Sequence, residues 1–257
     1  MGSNPQNEPS ESLKYYLRKV QVEEEMDHIL EVIRKANYTP YDPIVEIVFP
    51  VNGLTGVECD KALAEHKQRL WDEHNTDPSS NWFYVVEATS LKPVGCCQWQ
   101  IHPSDPFTEN PRVVTAPWWP AGERREFCEA ILNKIYHARM QLMRKPFQAL
   151  AWMAVVPQHR RQGIGAMLMR AGIDNADARD LECWIEASAM GKPLYENFGF
   201  KALSTINLDT SKDGESEVWA QCRQQLTPPP ITTMWRPCKS VQIGSGEIIV
   251  PFQPVGA

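Results

Sequence analysis

Long apolar runs are missing from this 257-residue chain. None approaches the ~20 residues a membrane-spanning helix needs, and mean hydropathy is −0.41, which excludes a transmembrane helix and a membrane partner. Basic charge is also short: 26 Lys and Arg stand against 32 Asp and Glu, a net −6, so nucleic acid is not expected as a partner. The opening Met-Gly-Ser-Asn-Pro-Gln is not followed by a basic-then-apolar leader, and Gln6 stands where a myristoylation motif at Gly2 wants Ser or Thr. Seven cysteines, an odd number without a Cys-x-x-Cys pair, exclude a disulfide framework and a zinc ribbon. The adjacent Cys96 and Cys97 sit in an apolar strand pattern and read as small buried hydrophobes. Six histidines form no His-Glu-x-x-His or similar spacing, so no metal is expected. Together these absences describe a reduced, metal-free cytoplasmic protein, with the nucleus as the other compartment left open.

What is present is ordinary globular composition, 42% apolar and 23% charged, with proline in excess at 21 residues. The pattern predicts one α/β domain over residues 13–237, after a mobile polar tail over 1–12. Strands are expected at 13–20, 82–88, 94–102, 147–156, 181–187, 201–208 and 231–235. A helix with a stripe of Met26, Ile29, Leu30 and Ile33 follows the first strand. A second carries Cys59, Ala62, Leu63, His66 and Leu70 on one face, where His66 reads as packed rather than as a ligand. A third presents Phe127, Ile131, Ile135, Ala138 and Leu142. Residues 103–122 form a long Pro- and Trp-rich loop, and 238–257 a tail expected to wrap the surface.

The chemistry concentrates where the apolar strand 147–156 runs into Pro157-Gln158-His159-Arg160-Arg161-Gln162-Gly163-Ile164-Gly165-Ala166. Glycines at a helix start let backbone approach a ligand, and free N–H groups, helix dipole and two arginines suit a pyrophosphate. A dinucleotide fingerprint would want a third glycine where Leu168 stands, and there is no Gly-x-x-x-x-Gly-Lys-[Ser/Thr] of a P-loop.

With Val155-Val156-Pro157 ahead of Arg160, Gly163 and Gly165, and Leu194-Tyr195 ahead of Gly199-Phe200, the chain resembles the GNAT acetyltransferase superfamily. The texture of Pro117-Trp118-Trp119-Pro120, Ile185-Glu186-Ala187-Ser188 and Met234-Trp235-Arg236-Pro237 looks most like its fungal members. The resemblance implies a GNAT acyl-CoA N-acyltransferase fold: a mixed, mostly antiparallel central sheet with splayed middle strands, flanked by helices. It implies acetyl-CoA as co-substrate, its pyrophosphate on Arg160, Arg161, Gln162, Gly163, Ile164, Gly165 and Ala166. The pantetheine arm would run along the backbone of Met153 and Val155, in the manner of an added strand.

Acetyl transfer needs a neutral amine, an oxyanion donor and a proton for the leaving thiolate. By resemblance, Tyr195 is the general acid and a backbone N–H near Val155 faces the oxyanion. Two positions depart from the family. Ser188 replaces the usual Asn that contacts CoA, and the strand 147–156 holds no acid, which leaves Glu186 as the candidate general base. Tyr38, Tyr41, Phe107, Trp118 and Trp119 are candidates for an aromatic acceptor pocket, with Asp105, Glu109 or Glu123 to attract a cation; the tryptophans equally suit a role as loop anchors. The expected function is acetyl transfer to the primary amine of a small molecule by direct attack. The alternatives are a protein lysine or N-terminal acetyltransferase, and a non-catalytic acyl-CoA binder or sensor. Whether the chain forms a homodimer is left open.

Overall fold

Runs of β-branched and aromatic residues build seven strands: β1 (Tyr15–Lys19), β2 (Ser80–Glu87), β3 (Pro93–His102), β4 (Phe147–Val155), β5 (Glu182–Ala187), β6 (Lys201–Ile206) and β7 (Ile231–Arg236). The computed structural model describes residues 13–51, 53–108 and 113–244. The expected tail over 1–12, Glu109 and the end of the C-terminal tail lie outside the described residues.

The strands form one sheet in the order β1-β2-β3-β4-β5-β7-β6. Every neighbouring pair is antiparallel except β4 and β5, which are parallel. Pairing between those two runs from Phe147↔Glu182 to Leu150↔Ile185 and stops, while β4 continues to Val155. The middle of the sheet therefore splays, as expected.

A bulge lies at the point of divergence. Gln98 pairs with Trp152 and Trp99 with Leu150, so Ala151 has no opposite number on β3. The extra residue reverses the alternation of faces. Phe147 and Ala149 pack with Trp184 and Trp235 before the bulge; Ala154 and Val156 pack with Ile29 and Ile33 on the same side after it. A central strand should be buried, yet Ala151, Trp152, Met153 and Val155 are only half-buried, because among the described residues no strand covers that edge beyond Leu150.

One face of the sheet is covered by α5 (Ile164–Ala178) and α6 (Lys192–Asn197), which bury Cys97, Trp99, Leu150 and Ile185 under Leu168, Met169 and Tyr195. The other carries α1 (Met26–Asn37), α2 (Ile44–Val48), α3 (Gly56–Thr76) and α4 (Glu123–Leu142). In α3, His66 is buried and its Nε2–H donates to the Pro50 carbonyl at 3.1 Å, a packed residue as expected.

The Pro- and Trp-rich loop is moored on α2. The indole N–H groups of Trp118 and Trp119 both donate to the Ile47 carbonyl, at 2.8 and 2.9 Å, and Arg69 Nη2 donates to that of Val48 at 2.6 Å. A five-residue helix thus has its last carbonyls satisfied by side chains. Here the tryptophans anchor the loop.

Helix α7 (Glu217–Leu226), between β6 and β7, is not anticipated by the sequence reading. The Ser216 hydroxyl accepts the Trp219 N–H at 3.1 Å as its N-cap, and Trp219, Cys222 and Leu226 pack on Phe127 and Ile131 of α4. Past Pro237 the chain does not simply trail over the surface but forms α8 (Lys239–Gly244), pinned by Ser240 to Asp180. Among the described residues no helix is long and apolar enough to cross a membrane.

Candidate active site

Between β4 and α5 the backbone turns through two left-handed residues, Arg161 at φ 61° and Gly163 at φ 86°. Gly163 is the N-cap of α5, and a Cβ built on it meets nothing within 4 Å, so the space above it is open. The first backbone bond of the helix is Met167 N–H to the Gly163 carbonyl at 3.0 Å. Before it, the N–H groups of Arg161, Gln162, Gly163, Ile164, Gly165 and Ala166 have no acceptor among the described residues. A row of unpaired donors at the positive end of a 15-residue helix is a built anion cradle.

The loop's side chains are tied away from it. Gln162 Oε1 accepts from Lys14 Nζ at 2.6 Å and from the Tyr15 hydroxyl at 2.8 Å, and Gln162 Nε2 donates to the Gln158 carbonyl. His159 Nδ1 stands 3.2 Å from the same hydroxyl. Arg160 faces backwards as well. Its guanidinium donates to the carbonyls of Val155, Thr39 and Ala36 at 3.1, 3.2 and 2.8 Å, clamping the end of β4 to the end of α1. The side chain expected on the pyrophosphate is here a structural clasp beneath the cradle.

Met153 and Val155 lie on the open edge of β4, and α6 brings Tyr195 to the same face of the sheet. Tyr195 is buried among Phe200 and its neighbours, with the Gly191 backbone beside its ring, and its hydroxyl has no hydrogen-bond partner among the described residues. Burial, with the Cys97 thiol nearby, pushes this phenol well above its ordinary range, so it holds its proton. Ser188 opens the turn that leads to α6: its hydroxyl accepts the Gly191 N–H at 3.2 Å, and its carbonyl accepts those of Gly191 and Lys192.

Residues 123–202 match the family model described as the acetyltransferase (GNAT) domain. The fold is that of the GNAT acetyltransferases. Three solved structures illustrate it. Arylalkylamine N-acetyltransferase 2 of Aedes aegypti is 11% identical, with 88% of this chain and 99% of that one covered at a TM-score of 0.58. An agmatine N-acetyltransferase variant is 14% identical over 86% and 98%, at 0.57. The polyamine N-acetyltransferase of Drosophila melanogaster, which forms N-acetylagmatine, is 13% identical over 87% and 99%, at 0.55. No curated protein matches the chain.

Within this GNAT fold the expected general base is heavily engaged. Glu186 accepts from Arg139 Nε at 3.1 Å, from Arg139 Nη2, and from the Trp184 indole N–H at 2.6 Å. Both side chains of the ion pair are almost wholly buried. Both carboxylate oxygens are thus committed to donors, two of them from one guanidinium. Arg139 also reaches Gln100 Oε1 at 3.3 Å, so it braces β3 and β5 across β4 at the point of divergence.

Sequence reasoning missed Arg139. The signal was available: an arginine interrupting the buried stripe of Ile135, Ala138 and Leu142 calls for a buried carboxylate partner. Of the acids proposed to attract a cation, Asp105 pairs with Arg144 at 2.8 Å and Glu123 accepts from Ser216 at 2.7 Å. The rings of Tyr38 and Tyr41 meet at 45° with centroids 5.7 Å apart, and both are exposed. Among the described residues no group of His, Cys, Asp and Glu could hold a metal ion.

Proposed function

We propose that this protein transfers acetyl from acetyl-CoA to the primary amine of a small molecule, by direct attack within a ternary complex. The observation that supports this most is the row of N–H groups from Arg161 to Ala166, unpaired among the described residues, opening beside a sheet edge that no described strand covers. The residues fit the co-substrate. The cradle suits its pyrophosphate, and the backbone of Met153 and Val155 can pair with an amide-bearing arm as a strand would. Ser188, at the turn into α6, remains the candidate polar contact below that arm. Acetyl-CoA, when bound, supplies the thioester.

Tyr195 keeps its proton because it is buried, and gives it to the departing sulfur. A backbone N–H near Val155 faces the carbonyl oxygen. Glu186 serves the sheet rather than the amine, so the amine enters neutral or loses its proton to water. The relatives named for agmatine, polyamines and arylalkylamines support a small amine as acceptor. Seven free cysteines suit a reducing compartment, the cytoplasm or the nucleus. A place among fungal members belongs to the same reading.

The engaged carboxylate of Glu186 favours one second reading, a non-catalytic acyl-CoA binder. Thiol release from acetyl-CoA, followed with agmatine, spermidine and tryptamine, separates the two. Turnover with at least one amine is expected, without comparable turnover of lysine-containing or N-terminal peptides. Tight binding of acetyl-CoA without thiol release supports the binder.

A further inference from the structure

Tyr136, a second phenol, lies on α4, on the opposite face of the sheet from Tyr195, packed against the cluster of Ile47, Ile131 and Ile135; the slot is the gap left where β4 loses β5. Helix α4 enters β4 through the short connection 143–146, so helix and strand run antiparallel across that face. Arg139 ties the helix to the end of the β4–β5 pairing. It reaches Gln100, which pairs with Ala149, and Glu186, the residue after the Leu150↔Ile185 pair. Tyr136 lies three residues earlier on the same helical face, about 4.5 Å back along the axis at ~1.5 Å per residue. Its ring lies against the Arg139 guanidinium, which holds Glu186, the first residue of β5 past the Leu150↔Ile185 pair, so the phenol sits beside the end of that pairing. There β4 has just lost β5.

The ring is half-buried, its centroid is 5.1 Å from the Arg139 guanidinium carbon, and its hydroxyl has no hydrogen-bond partner among the described residues. The charges around it are Arg139, Glu186 and Glu73. Burial, above all, raises the phenol, so it is neutral and can accept as well as donate. The charge of Glu186 is matched by that of Arg139, and Glu73 is paired with Arg69 at 3.2 Å. A neutral surround suits an attacking amine, because an unmatched carboxylate would hold it as unreactive ammonium.

We propose that Tyr136 is the acceptor-side binding group: its hydroxyl oxygen takes a hydrogen bond from the N–H of the attacking primary amine, across the slot from Tyr195. This rests on the acetyltransferase reading above.

The test is Tyr136→Phe, which keeps the ring and its packing. The acceptor is whichever of agmatine, spermidine and tryptamine the wild-type protein acetylates fastest. The amine KM is expected to rise about five- to tenfold, with the acetyl-CoA Kd and the melting midpoint unchanged. An unchanged amine KM in a wild-type protein that is active overturns the proposal. So does a loss of activity matched by weaker acetyl-CoA binding or a lower melting midpoint, since the role is then structural. A wild-type protein that binds acetyl-CoA but acetylates none of the amines overturns the acetyltransferase reading itself, and this proposal with it.

Discussion

Gly165 of α5 and Leu194 of α6 approach so closely that a Cβ on the glycine would stand 2.9 Å from Leu194 Cδ2. The contact joins the first turn beneath the anion cradle to the helix whose next residue is Tyr195. Cradle and phenol are therefore one rigid unit on the α5 face, and the half-buried edge of β4 runs beside it. The packing brings a motif of small residues and one of aromatic residues, some thirty positions apart in sequence, together on one face of the sheet.

Tyr195→Phe tests the phenol's place in the reaction. Removing a general acid costs about a hundredfold in kcat. The acetyl-CoA Kd is expected to stay within about twofold, because the cradle is untouched. Burial raises this phenol above its ordinary value of 10, so the wild-type kcat has no alkaline limb from Tyr195 up to pH 10. Turnover of Tyr195→Phe equal to wild type removes the residue from the mechanism.

Glu186→Gln separates the buried ion pair from a general base. Leaving Arg139 buried without its carboxylate costs about 3–5 kcal/mol, read as a lower urea midpoint. A Glu186→Gln protein with wild-type stability and turnover slowed a hundredfold reinstates Glu186 as the base.

Helix α3 carries an acid-sensitive residue unconnected with catalysis. Burial, the largest influence on His66, holds its pKa below 6.5 against the bond it makes to the Pro50 carbonyl. The unfolded chain then binds a proton more readily than the folded one, so this contribution is intact above pH 6.5 and declines as pH falls towards the folded value. The melting midpoint should fall on acidification below pH 6.5, and less steeply in His66→Gln, whose amide can still donate to Pro50. Parallel pH profiles for the two proteins would contradict this.

Most of the sheet was legible because alternation and apolar runs report directly on strand faces. The turn into α5 was legible too, since Gly163 and Gly165 bracket a helix start. The roles of charged side chains were not. Arg160 looks like a phosphate ligand in sequence, but the carbonyls of Ala36 and Thr39 that it clasps are over a hundred residues away. Glu186 looks free beside a strand end until α4 brings Arg139 across the sheet. Helix α7 carried a readable signal in Ser216, Trp219, Cys222 and Leu226, hidden among loop residues on either side.

The central claim is that the N–H row from Arg161 to Ala166 binds the pyrophosphate of acetyl-CoA, and calorimetric titration of wild type beside Gly163→Glu tests it most directly. Gly163 sits at φ 86° under open space, so a carboxylate there fills the cradle with like charge and adds about 1–2 kcal/mol of backbone strain. Saturable binding by wild type, abolished in a Gly163→Glu protein that still melts cooperatively, is the result predicted. Equal affinity of the two proteins, or no binding by wild type at millimolar acetyl-CoA, would contradict it.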